Sequence, residues 1–169
     1  ATLAPFLKAS YSTSPKAIDI KGVDPLFYLN VQSGFNKQLP RKVIRDGIEI
    51  FRTFVDDKGN EVTTFEQGKT LTVHLKVRTL GGKTLSNIAI VDLLPGGFEV
   101  IRNSVSRTTY GWRADYVDIR EDRIIYYGSF GSSVRELTYK VKLTASGKFV
   151  IPPSTAESMY DRNIRAISL

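Results

Sequence analysis

The chain has 169 residues, of which 41% are hydrophobic and 24% are charged, so it can form one globular domain and is too apolar for global disorder. No apolar run reaches the roughly 18 residues that a membrane-spanning helix needs. Lysine and arginine number 24 against 17 acidic residues, a formal net charge of +7. The lack of cysteine excludes disulfides, thiol catalysis, thiolate metal sites and an internal thioester within these residues.

The first 40 residues differ in composition from the rest. Residues 25–31 favour a strand, whereas residues 33–42 are polar and contain Gly34 and Pro40, which is typical of a linker. A segment of about 40 residues cannot bury a hydrophobic core alone. It therefore adds strands to the main domain, residues 41–169, or ends a preceding domain. Because the chain starts at Ala1 without a basic-then-apolar leader, we interpret it as a mature protein or a part of a longer one.

Alternation of apolar and polar residues predicts strands along the main domain. The clearest case is Leu71, Val73, Leu75 and Val77 with polar residues between them, and residues 137–143 repeat the pattern. Further strands are predicted at 48–54, where a break in the alternation indicates a bulge, and at 88–94, 98–101, 123–130, 149–151 and 164–169.

Turn sequences rich in glycine and proline separate these strands, as at Pro95-Gly96-Gly97, and we also interpret Gly128 as a turn glycine. Short strands at such spacing predict an all-β fold, an antiparallel β-sandwich of about seven strands. Residues 112–121 have the only helix-compatible composition, so at most one short helix is expected.

Side chains suited to catalysis or metal binding are few. His74, the only histidine, lies between Val73 and Leu75 on the polar side of a predicted strand, so we interpret it as solvated. Carboxylates in residues 115–122 could bind Ca²⁺ or act as an acid–base pair, but interleaved arginines favour a self-neutralised surface. Residues 56–61 favour a hairpin turn over a calcium loop. We predict no catalytic residue, no metal site and no cofactor, and the dispersed basic residues do not favour nucleic-acid binding.

The segment after Pro152-Pro153 contains the only methionine, Met159, followed by Tyr160. Because proline cannot donate a ladder hydrogen bond, we predict a loop that leaves the sheet. A thioether beside a phenol on a loop is either a plug for the domain's own core or a contact with something else. An alternative function is a bacterial cell-surface, adhesion-type β-sandwich binding module, favoured by the β pattern and by tyrosine-rich segments that we expect to be exposed, such as Tyr126-Tyr127.

Three stretches of sequence act together as a signature. They are residues 91–100 (VDLLPGGFEV), residues 120–123 (REDR) before an apolar strand, and residues 139–160, which run from YKVK through GKFVIPP to AESMY. Together they resemble the C-terminal macroglobulin domain, the tenth such domain (MG10), of bacterial α2-macroglobulins. The third stretch is the most specific, and the resemblance covers residues 41–169. Residues 25–35 resemble the last strands of the CUB-like domain that precedes it.

The resemblance implies a non-catalytic domain of a large protein that traps proteinases broadly, in host defence. Such proteins are periplasmic and often anchored to the inner membrane. A proteinase cuts a bait region, and a Cys–Gln thioester in another domain then acylates the attacker. The implied partners are the thioester and CUB-like domains of the same parent and, through the parent, proteinases. No binding of nucleic acid and no insertion of this chain into a membrane is expected.

The resemblance also assigns a role to Met159 and Tyr160. In members that carry a thioester, a Met-Tyr pair at this place helps to cover the thioester and to exclude water. In members without a thioester, the same pair would be an interdomain contact only.

Overall fold

The computed structural model describes residues 42–169 and, before them, residues 11, 17, 19 and 21. The chain divides into two units, Ala1–Phe35 and Asn36–Leu169, and every element given below belongs to the second unit. The predicted strand at residues 25–31, the domain end and linker in residues 1–40 and the boundary at residue 41 lie outside the described residues and stay predictions.

The described domain is built from strands, with one short 3₁₀ turn, η1 (Arg102–Ser104). The strands are β1 (Ile44–Asp46), β2 (Ile48–Val55), β3 (Thr70–Thr79), β4 (Leu85–Leu93), β5 (Phe98–Val100), β6 (Thr108–Thr109), β7 (Trp112–Arg113), β8 (Tyr116–Ile119), β9 (Arg123–Phe130), β10 (Arg135–Leu143), β11 (Ser154–Ser158) and β12 (Arg165–Ser168). This arrangement confirms the all-β fold class, and the expected number of about seven strands is too low for these twelve.

Two antiparallel sheets form the sandwich. The larger has six strands in the order β1-β12-β11-β4-β9-β8, and the smaller has four in the order β2-β3-β10-β5. Strands β6 and β7 form a separate two-stranded ribbon. The predicted Pro95-Gly96-Gly97 turn joins β4 to β5, so it carries the chain from the larger sheet to the smaller one.

The core lies between the two inner faces and is set by the alternation of apolar residues. Leu71, Val73, Leu75 and Val77 on β3 are all buried, as the sequence predicted. The neighbouring strand β10 adds apolar side chains at every second position, and the larger sheet supplies Ile88, Ile90, Ile124, Tyr126, Ala156 and Ala166. Burial of this apolar surface is the main favourable contribution to folding.

The break in the alternation of β2 is not a bulge, because β2 pairs with β3 without interruption from Ile48 to Val55. The Arg52 side chain points inward at this break in the alternation. The Phe51 side chain points outward, and the Arg45 guanidinium lies over it, with Cζ of Arg45 4.9 Å from the centroid of the Phe51 ring. A register shift does occur in β4, between Leu85 and Ile88 opposite β9.

Two of the predicted elements are wrong. Residues 112–121 form β7 and β8 rather than a helix, because Trp112 and Val117 pack into the core from strands. Residues 149–151 are irregular, and the strand begins only at Ser154, after the two prolines that lack ladder N–H groups. The Phe149 ring lies against the glycine turn, where a Cβ atom on Gly97 would come within 3.0 Å of it.

Gly128 is not a turn glycine but a residue inside β9. A Cβ atom at this position would lie 2.7 Å from Cζ2 of Trp112. The indole Nε1 donates a 2.6 Å hydrogen bond to the Ser129 carbonyl, and its ring packs on Phe130 with centroids 4.8 Å apart. The glycine therefore makes room for the tryptophan that joins the β6–β7 ribbon to the larger sheet.

Candidate functional site

Met159 and Tyr160 lie at the turn between β11 and β12, not on a loop that leaves the sheet. Strand β11 is central in the larger sheet, hydrogen-bonded to β4 on one side and β12 on the other. Both residues are exposed, 54% for Met159 and 81% for Tyr160. We call these two residues the Met159–Tyr160 tip.

Backbone hydrogen bonds hold the first residue of the tip. The Met159 N–H donates to the Asn87 carbonyl at 2.9 Å, and the Ser158 N–H donates to the Ile164 carbonyl at 3.0 Å. The Met159 bond lies one residue beyond the last ladder pair of β11 and β4, Ser158 with Ile88. Neighbours on both sides therefore fix the chain as it enters the turn.

Polar side chains hold the rest of the turn. The Ser158 hydroxyl accepts hydrogen bonds from the N–H groups of Tyr160, at 3.4 Å, and Asp161, at 3.2 Å. The Asp161 carboxylate accepts from the Asn163 N–H at 3.0 Å and from its side-chain amide at 3.1 Å. Such local side-chain bonds replace the ladder where the chain reverses direction. The result is an ordered backbone that presents a thioether and an aromatic ring to the outside.

His74 lies on the outer side of β3, as predicted, with its side chain 27% exposed. The structure adds a partner, because His74 Nδ1 lies 2.7 Å from Glu136 Oε1 on β10. Thr53 and Thr138 face His74 on the two neighbouring strands. The arrangement is a cross-strand polar pair on an open sheet surface.

The acidic segment before β9 has the predicted self-neutralised form. Arg120 Nε lies 2.8 Å from Asp118 Oδ2, and Arg123 Nη2 lies 2.6 Å from Asp122 Oδ2. The hydrogen bond from Arg123 lowers the pKa of Asp122 below its usual value. Asp118 and Asp122 each therefore have a guanidinium beside them.

The turn at residues 56–61 is a hairpin turn, as predicted. The Asp56 carboxylate accepts hydrogen bonds from the N–H groups of Lys58, at 2.9 Å, and Asn60, at 2.8 Å. The bond from the Asn60 N–H is the main cause that lowers the pKa of Asp56. Over the described residues, no group of three or more potential metal ligands comes together.

A buried polar cluster, which the sequence interpretation missed, joins the two sheets. Arg52 on β2 donates to the Asp92 carboxylate on β4 at 2.6 Å, and to the carbonyl oxygens of Leu93, at 3.2 Å, and of Pro152. The break in the alternation of β2 was the signal for this inward arginine. The cluster contacts the chain between β10 and β11, so it supports the start of the strand that leads to the tip.

Tyr139 and Ser154 complete the cluster, because both hydroxyls donate to the Asp92 carboxylate, Ser154 at 2.8 Å. Burial raises the pKa of Tyr139 well above its usual value, and the Asp92 charge adds to this effect. Tyr126 is fully buried beside them, which contradicts the expectation of an exposed Tyr126-Tyr127 surface. An adhesion surface built on this pair has no support.

None of the described residues belongs to a helix that could span a membrane.

Residues 47–163 match the family described as the bacterial alpha-2-macroglobulin MG10 domain. The alpha-2-macroglobulin homolog of Yersinia pestis is 38% identical, over an alignment that covers 97% of this chain and 10% of that protein. The chain thus spans about a tenth of the length of this curated relative.

Solved structures show the same fold. Salmonella alpha-2-macroglobulin reacted with methylamine superposes with a TM-score of 0.67 at 19% identity, covering 80% of this chain and 9% of that one. Escherichia coli alpha-2-macroglobulin activated by porcine elastase gives a TM-score of 0.69 at 20% identity, covering 80% of this chain and 13% of that one.

Proposed function

Because this chain belongs to the family of bacterial alpha-2-macroglobulin MG10 domains, we propose that it is a non-catalytic domain of a broad-spectrum proteinase inhibitor. In this proposal the parent protein lies in the periplasm, attached to the inner membrane by a lipid anchor, and traps proteinases there. The domain packs against the neighbouring thioester and CUB-like domains of the same parent, and the Met159–Tyr160 tip shields the thioester.

The observation that supports shielding is the exposure of the Met159–Tyr160 tip on an ordered backbone. An activated thioester is hydrolysed more slowly where water is excluded from its carbonyl carbon. A polarisable thioether beside an aromatic ring covers such a group with apolar surface. An ordered turn also loses little conformational freedom when it docks, which favours a stable cover.

The relatives support the proposed activity of the parent. The Escherichia coli protein was activated by porcine elastase, so a family member responds to a proteinase. The Salmonella protein reacted with methylamine, and a primary amine attacks an activated acyl group such as a thioester. Both reactions concern proteins in which the matched region is a small part of the chain.

The test is the rate at which methylamine reacts with the full-length parent. We expect Tyr160→Ala to raise this rate, because water and amine then reach the thioester. Tyr110→Ala is the matched control, since Tyr110 is 98% exposed and lies on a different turn. A rate that Tyr160→Ala leaves unchanged would remove the shielding role, and a parent without a thioester would make the tip an interdomain contact.

A further inference from the structure

Asn87 has a strained backbone. With φ of +56° it is the one non-glycine residue at positive φ among the described residues. It lies in β4 at the register shift between Leu85 and Ile88. The left-handed region is unfavourable for L-residues, although asparagine tolerates it better than most. Its side chain is exposed, so core packing does not account for the conformation.

The strained conformation coincides with a specific hydrogen bond. The Asn87 carbonyl accepts the Met159 N–H at 2.9 Å, just beyond the last regular pair of β4 and β11. In the regular pairing of the sheet, Ile88 faces both Ser158 on β11 and Gly128 on β9. Asn87 therefore forms a hydrogen bond to the Met159–Tyr160 tip at the point where the pairing of β4 with β9 is interrupted.

We propose that Asn87 is a positioning residue for the Met159–Tyr160 tip. Its left-handed backbone directs a carbonyl to the Met159 N–H, and this bond sets the direction in which the two side chains leave the sheet. Asn87 acts through the backbone of Met159. The consequence for shielding rests on the function proposed above, whereas the step from Asn87 to Met159 is independent of it.

The first experiment measures amide hydrogen exchange at Met159 in the 169-residue chain. Both Asn87→Ala and Asn87→Gly remove the asparagine amide. Alanine disfavours a positive φ at this position, whereas glycine adopts it freely. We expect Asn87→Ala to speed exchange at Met159 about tenfold, which corresponds to the usual left-handed penalty. Asn87→Gly should stay near the wild-type rate.

The controls separate a local effect from loss of the fold. Ser86→Ala changes the adjacent exposed residue, which has no positive φ, and should leave exchange at Met159 unchanged. The Ala156 amide, in the middle of β11, is the internal reference in every variant. Because Met159 is the only methionine, its methyl group gives a single NMR signal that reports the environment of the tip. No acceleration in Asn87→Ala, or equal acceleration in Asn87→Gly, would overturn the proposal.

The second experiment repeats the methylamine reaction on the full-length parent. Faster reaction with Asn87→Ala and wild-type reaction with Asn87→Gly would support positioning for shielding. If Tyr160→Ala speeds the reaction and Asn87→Ala does not, positioning for shielding is overturned while the proposed function stands. If neither variant changes the rate, the shielding function fails, and exchange at Met159 alone decides the role of Asn87.

Discussion

Arg52 and Asp92 join the two sheets of the sandwich through a buried ion pair, with side chains that are 5% and 0% exposed. Each partner has further hydrogen bonds, Arg52 to the Pro152 carbonyl and Asp92 from the hydroxyls of Tyr139 and Ser154. A buried charge is tolerated only when it is paired and hydrogen-bonded in this way. The pair therefore fixes how the sheets and the chain before β11 meet.

Removing one member of this pair should destabilise the domain strongly. Asp92→Ala leaves a buried guanidinium without its counter-charge, and we expect a loss of about 3–5 kcal/mol in the free energy of unfolding. Arg52→Met leaves the carboxylate unpaired and should cost a similar amount. The double variant should lose less than the sum of the two, because no uncompensated charge remains. Urea unfolding at neutral pH measures all three.

The exposed pair of Arg123 and Asp122 is the control for this series. Its side chains are 39% and 60% exposed, and such pairs contribute less than about 1 kcal/mol. Arg123→Ala should therefore shift the unfolding curve only slightly. Equal losses for Arg123→Ala and Asp92→Ala would mean that the buried pair does not hold the sheets together.

Tyr126 carries a buried hydroxyl without a hydrogen-bond partner among the described residues. Burial raises the pKa of Tyr126 above its usual value of 10.0, and the Asp92 charge raises it further. Tyr126→Phe removes an unsatisfied polar atom, so we expect the free energy of unfolding at neutral pH to stay level or to rise by about 1 kcal/mol. Tyr139→Phe should instead destabilise, because it removes a hydrogen bond to Asp92.

Because the pKa values of Tyr126 and Tyr139 are raised in the folded domain, we expect the domain to lose stability at alkaline pH. Above pH 10 the unfolded chain releases their protons while the folded domain retains them, so the unfolded state binds fewer protons. Below pH 10 their ionisation does not change the free energy of unfolding, which falls above pH 10 by about 1.4 kcal/mol per pH unit for each tyrosine. In urea unfolding between pH 9 and pH 11, Tyr126→Phe should reduce this slope, and an unchanged slope would contradict the prediction.

Strands of the sandwich could be predicted where one face is exposed to solvent and the other is buried. In β3 and β10 the apolar residues alternate with polar ones, and the structure buries those of β3 without exception. The pattern was misleading where a polar residue turns inward. Arg52 interrupts the alternation of β2, and its partner Asp92 is 40 residues away in the sequence, so the buried pair could not be deduced from local pattern.

Two further errors have local causes. Residues 112–121 contain very short strands, which give too few alternating positions to separate a strand from a helix. Residues 149–151 are apolar, which predicted a strand, but they are unpaired, and the next strand begins only at Ser154. The Met159–Tyr160 tip was therefore located by residue type, while the hairpin and the contact to Asn87 depend on non-local pairing.

Gly128→Ala should destabilise the domain, because its Cβ would lie 2.7 Å from the Trp112 ring. The ring would have to move, and overpacking of this kind costs about 1–3 kcal/mol. Trp112 is the only tryptophan, so its fluorescence reports the displacement directly. Gly131→Ala is the matched control, since its nearest neighbour would be 3.5 Å away. Equal stability of both variants would show that the ring moves freely.

Tyr160→Ala should leave the isolated chain folded and its free energy of unfolding within about 0.5 kcal/mol of the wild type, as is usual for exposed side chains. Leu75→Ala, in the fully buried part of β3, is the contrasting variant and should cost about 2–5 kcal/mol. Urea unfolding of both variants makes the comparison. A large loss with Tyr160→Ala would mean that the ring serves the domain's own stability, and the case for a free docking tip would then fail.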